Sequence, residues 1–134
     1  MYIDTNGALV TQDKARAIAD AGLDSIKFSI SAANRDDYKA VHGRDDFDKV
    51  IENTKHAAQF KRDNGIDCTI GVQTLLLPEN SREMVELAKL CRDEISADYL
   101  VVKPYSQHSF SNTRIYENID YSNFLELEKE LDCL

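Results

Sequence analysis

Residues 2–32 read YIDTNGALVTQDKARAIADAGLDSIKFSISA. The stretch opens on a strand end, Tyr2-Ile3-Asp4. The Thr5-Asn6-Gly7 segment that follows is built of residues that favour turns. A short helix is expected next, with Thr11 in the N-cap position and Gly22 just past its end. Asp24–Ser31 then reads as a second strand. Strand, turn, helix and strand in this order make a βαβ unit, and such units put their strands parallel in one sheet.

The same alternation continues down the chain. Asn34–Gly43 suggests a short helical turn. Asp45–Gly65 suggests a long amphipathic helix, with Phe47, Val50, Ile51, Ala57, Ala58 and Phe60 near helical spacing. Asp67–Leu77 is the next strand, ended by Pro78. Asn80 and Glu83 read as a capping box for a helix over 81–95. Asp98–Tyr105 is the last clear strand. A polar loop over 106–120 leads to a terminal helix with Ser122 as its expected N-cap. With 134 residues and no interdomain linker, the chain is one domain, 1–105 being βα units and 106–134 a loop and helix.

Composition narrows the function. The chain is 43% hydrophobic and carries a formal net charge of −8. That acidity argues against nucleic acid and anionic membranes as partners. No apolar run has membrane-spanning length and no signal segment follows Met1, so a cytoplasmic protein is expected. Cys68, Cys91 and Cys133 are too scattered for a disulfide framework or a zinc site. They are expected to be reduced structural thiols, unable by themselves to hold an iron–sulfur cluster.

Strand parity separates the two architectures that fit, an open doubly wound sheet and part of a βα barrel. Ile26, Phe28 and Ile30 alternate with Ser25, Lys27, Ser29 and Ser31. Cys68, Ile70 and Val72 oppose Thr69, Gly71 and Gln73, and Leu100, Val102 and Pro104 oppose Val101, Lys103 and Tyr105. A parallel sheet covered on both sides would be apolar on both. One greasy and one polar face suit a barrel whose lumen holds a polar ligand at the carboxyl ends of the strands. A one-sided sheet with its polar face in water is the other reading.

Taken together, "DTNGALV", "AGLDSIKFSISA", "YKAVHG", "FDKVIENTKHA", "TIGVQTLLLPENSREMVELAK" and "DYLVVKPY" resemble the radical S-adenosylmethionine superfamily. The resemblance runs from about Tyr2 to Tyr105 and covers strands three to six of the family's (β/α)6 partial TIM barrel. It implies S-adenosylmethionine as cofactor, with a [4Fe–4S] cluster held by a CxxxCxxC loop that this sequence lacks. Cys68 lies at the wrong end of its strand to replace that loop. The resemblance therefore implies further βα units carrying the cluster before Tyr2, and a chain that is not catalytic alone.

Site residues carry over by position. Thr5, Asn6, Gly7, Ser29, Ser31, Gly71 and Gln73 are implied as cofactor-binding, with Ser29 or Ser31 reaching the ribose or methionine carboxylate. Gly71 is read either as a close-approach glycine or as a bulge. Lys103, Tyr105 and His108 are implied as substrate-binding, with Ser109 and Asn112 in the same loop. No metal ligand and no catalytic residue is assigned. Exposed strand edges imply self-association or pairing with the missing units. A cluster-free binding or scaffold module remains an alternative reading. So does a βα-barrel lyase using Lys103 as a Schiff-base lysine.

Overall fold

The structure is a computed structural model that describes residues 1–105 and 119–134; the expected site residue His108 lies outside them, as do Ser109 and Asn112. Strands β1 (Tyr2–Thr5), β2 (Ser25–Ser29), β3 (Thr69–Leu76) and β4 (Tyr99–Pro104) form one sheet in the order β1-β2-β3-β4, every pair parallel. Helix α1 (Gln12–Asp20) crosses from β1 to β2, and α2 (Arg35–His42) and α3 (Phe47–Asn64) cross from β2 to β3. Helix α4 (Met84–Lys89) precedes β4, and α5 (Leu125–Asp132) comes last. Strand order follows chain order without reversal, as in a barrel wall. A doubly wound sheet would turn back at a switch point.

Register confirms the alternation of faces. Aligned residues of parallel strands point the same way, so Ile3, Ile26 and Ile70 share one face, as do Phe28, Val72 and Leu100. That face meets the helices: Ile26, Phe28, Ile70 and Val72 are buried in one cluster with Ala15, Val50, Ala57, Met84 and Leu87. Removing such side chains from water contributes about 1.5–3 kcal/mol each, which is why parity dominates the register.

Several helix ends differ from their sequence expectation. Thr11 occupies the N-cap of α1 with extended backbone, but its hydroxyl makes no capping bond. Residues 81–95 are not one helix: a 3₁₀ turn at Ser81–Glu83 leads into α4, which widens into a π-helical segment, Leu90–Ile95. Asn80 and Glu83 form no capping box, because each side chain reaches instead to the β2 end (below). Before α5, Asp120 is the capping residue, accepting from the Ser122 N–H at 3.0 Å; Ser122 is its donor. A carboxylate accepts two such bonds where a hydroxyl would manage less.

The amino end of the sheet is closed by Asp98. Its Oδ2 accepts from Lys61 Nζ of α3 at 2.6 Å and from the Ile70 N–H at 2.7 Å. Burial pushes this carboxyl up, but the two donors more than offset it and hold Asp98 below the usual carboxylate range. No helix among the described residues is long and apolar enough to cross a membrane.

Candidate functional site

The face away from the helices is built in layers. One layer above Tyr2, Ser25 and Thr69 are Asp4 and Lys27, aligned in register and ion-paired at 3.5 Å, with Gly71 and Tyr99 aligned beside them. Next come Ser29, Gln73 and Val101, and beyond them Leu75 aligned with Lys103. Ser29 and Gln73 are half-buried while Lys103 is exposed. The register thus brings Ser29 and Gln73 side by side near the carboxyl ends, with Gly71 one layer below.

Two details in these layers were not legible in sequence. A Cβ on Gly71 would overlap the Tyr99 ring, so the space the glycine leaves is filled by β4. Pairing on both sides of Gly71 runs without a break, which excludes the bulge reading. The second detail is Gln73 Oε1, which is buried and has no hydrogen-bond partner among the described residues. An acceptor hidden from water and left unpaired costs about 1–3 kcal/mol unless a ligand or solvent group meets it.

Thr5-Asn6-Gly7 behaves differently from the strand residues. Thr5 aligns with Phe28, so it keeps the parity of the helix-covered face. Its Oγ1 accepts the Gly7 N–H at 3.1 Å, and Asn6 Oδ1 accepts the Ala8 N–H at 3.0 Å. Both side-chain oxygens therefore build the turn. Gly7 sits at φ +79°, with Phe28 Cδ1 2.8 Å from where a Cβ would be. Only glycine meets both conditions.

Each carboxyl-end turn is fastened by a side chain from elsewhere in the fold. From α3, Asn53 Nδ2 donates to the Gly7 carbonyl at 2.8 Å. His42, the last residue of α2, accepts the Ser31 N–H on Nε2 at 3.2 Å, and buried Asn80 donates Nδ2 to the Ser31 carbonyl at 3.0 Å. Asn80 also accepts the Leu77 N–H at 2.8 Å and donates to the Leu75 carbonyl at 2.8 Å. Tyr121 Oη joins β3 to β4, donating to the Leu76 carbonyl at 2.8 Å and accepting the Tyr105 N–H at 2.6 Å.

A carboxyl pair lies behind the β2 end. Glu83 is buried and accepts from the Ala33 N–H at 3.3 Å and from Asn34 Nδ2. Burial pushes its pKa up, and neighbouring Asp37 pushes the same way. Asp37 is held down by the hydrogen bond from Glu83, then by Asn34 and Arg82. Of the two, Glu83 is therefore the carboxyl that holds a proton more readily, and its bonds to Ala33 and Asn34 tie the turn after β2 to the start of α4. His42 stacks on Tyr38, ring centroids 4.2 Å apart, and burial lowers its pKa, favouring the neutral ring that can accept.

Sequence reasoning singled out Ser29, Gln73 and Ser31 but not His42, Asn53, Tyr121 or the Glu83–Asp37 pair. A signal existed for His42: it lies four residues after Tyr38 on the same helix face. Asn53 and Tyr121 gave none, since their partners are backbone atoms 46 and 45 residues away. Among the described residues no cluster of His, Cys, Asp and Glu could hold a metal ion.

A family model described as Radical SAM superfamily matches residues 1–91 of this chain. An uncharacterized protein of Methanocaldococcus jannaschii is 31% identical over 117 residues, covering 84% of this chain and 38% of that protein. A probable GTP 3',8-cyclase of Saccharolobus solfataricus is 47% identical over 53 residues, 40% of this chain and 17% of that protein. The molybdenum cofactor biosynthesis protein moc-5 of Caenorhabditis elegans is 28% identical over 126 residues, 93% of this chain and 20% of that protein. The chain spans well under half the length of these relatives.

Proposed function

This chain belongs to the radical S-adenosylmethionine superfamily, and we propose that it is the part of such an enzyme's barrel wall that receives S-adenosylmethionine and faces substrate. The observation that carries the reading is Gln73 Oε1, buried beside Ser29 on the polar face with no partner among the described residues. It suits a ligand that brings hydrogen-bond donors, as the amino group and ribose hydroxyls of this cofactor do. Ser29 offers a hydroxyl that both donates and accepts, matched to a ribose diol. Tyr99 and the Asp4–Lys27 pair form the floor beneath. Lys103 is exposed near the end of β4, where it would meet an anionic substrate group.

Together with a [4Fe–4S] cluster, the cofactor would supply radical chemistry toward a substrate C–H bond. The cysteines here do not fit the cluster: Cys91 is buried in the helix-side core, Cys68 precedes β3, and Cys133 follows α5. Cluster ligands would come from further βα units of the same protein, pairing along β1 or β4. Among the described residues each of these edge strands has a neighbour on one side only. Light scattering is expected to show this chain self-associating through those edges, and a monomer at all concentrations would remove that part of the proposal.

Titration of S-adenosylmethionine to millimolar concentration tests the site, read by amide shifts of the isotope-labelled chain. Changes centred on Ser29 and on the Gln73 side-chain amide are expected. Shifts absent, or confined to the helix-covered face, would overturn the assignment. GTP is the first substrate to add, since two relatives are named as probable GTP 3',8-cyclase.

A further inference from the structure

We propose that His42 is a positioning residue for the cofactor site: by accepting the Ser31 N–H on Nε2, it fixes the carboxyl end of β2 and thereby the direction of the Ser29 and Ser31 hydroxyls. The inference rests on the proposed function but uses a contact that reading does not need.

The geometry is specific. β2 ends its regular pairing at Ser29. The Ile30 N–H still donates to the Gln73 carbonyl at 3.0 Å, and beyond it the chain leaves the sheet. At Ser31 the two sides of one residue's backbone are taken by side chains: the N–H by His42 and the carbonyl by Asn80. Ser31 is 5% exposed, so neither backbone group has water as an easy substitute. His42 is itself held. It stacks on Tyr38, which is 2% exposed and also packs against Phe47 of α3 at 5.7 Å. Asn80 anchors the same residue from the β3 side. A rigid acceptor on a packed ring leaves the strand end little freedom, and a binding group one residue or two away inherits that precision.

An N–H···N bond has its own signature, a scalar coupling between the two nitrogens across the hydrogen bond. In the labelled full chain we expect that coupling between the Ser31 amide nitrogen and His42 Nε2. S-adenosylmethionine is then titrated into wild type, His42→Phe and His42→Gln. His42→Phe keeps the stack but has no acceptor, and should weaken binding by about fivefold to tenfold. His42→Gln restores an acceptor of similar reach and should return to within about twofold of wild type. If His42→Phe does not fold, His42→Asn, too short to reach Ser31, takes its place. Absence of the coupling overturns the proposal, as does equal binding by wild type and a folded His42→Phe. Coupling present with no binding by wild type overturns the cofactor site itself, and the positioning role with it.

Discussion

The ring of Tyr99 lies over Gly71, its register partner across β3 and β4, in the space a side chain at position 71 would need. This one relationship sets the floor of the polar face. It also explains a glycine in the middle of a strand, where glycine otherwise weakens the sheet. Gly71→Ala is expected to destabilise by about 1–3 kcal/mol, because the ring must leave its position. Gly71→Ala in a Tyr99→Ala background should cost much less. A double-mutant cycle by urea denaturation reads the coupling directly, and additive costs would contradict the contact.

Gly7 faces a different constraint. Its positive φ and the 2.8 Å approach of Phe28 act together. Gly7→Ala is expected to lose about 1–3 kcal/mol in thermal unfolding, whereas Gly22→Ala, with open space around it, should lose less.

Asn80 is fully buried and bonds to Ser31, Leu75 and Leu77 at once. Asn80→Ala strands those backbone groups and should cost about 2–4 kcal/mol. Hydrogen exchange should rise first at Leu77, whose N–H loses its acceptor. A cost as small as that of an exposed cap would show the staple to be absent.

The opposed shifts of Glu83 and Asp37 predict a pH dependence. The raised carboxyl of Glu83 contributes stability below its unfolded pKa, and that contribution is lost as pH rises through the folded value. The depressed Asp37 acts oppositely, contributing above its unfolded pKa and losing that as pH falls through its folded value. Glu83→Gln mimics the neutral form at every pH. Its melting temperature relative to wild type should therefore be highest near neutral pH and fall as the buffer is acidified toward the ordinary carboxylate range. A difference independent of pH would sink the raised carboxyl of Glu83.

The three thiols should separate by reactivity. Burial raises the Cys91 pKa to about 12 and also raises that of half-buried Cys68, while Cys133 is exposed. Thiolate is the reacting species. Alkylation followed by mass spectrometry should label Cys133 first, Cys68 more slowly, and Cys91 only on unfolding. Early labelling of Cys91 would mean that the α4 end does not pack as described.

Local chemistry was enough for the sequence to determine much of this protein. Period-two alternation in Ile26-Lys27-Phe28-Ser29 and in Ile70-Gly71-Val72-Gln73 set both strands and faces, since a one-residue slip would bury the polar set. Gly22 and Gly65 marked helix ends because left-handed backbone there favours glycine. The βα order and the polar carboxyl ends were likewise visible. Only tertiary structure decided what each polar group does. Asn80 looked like a cap, but the carbonyls of Ser31, just past β2, and of Leu75, in β3, converge on it. Gly71 looked like room for a ligand until β4 placed Tyr99 there. His42, Asn53 and Tyr121 bond to backbone atoms distant in sequence, and every residue type carries the same backbone atoms. A side chain whose partner is backbone leaves no trace in the partner's identity, so those fastenings exist only once the chain has folded.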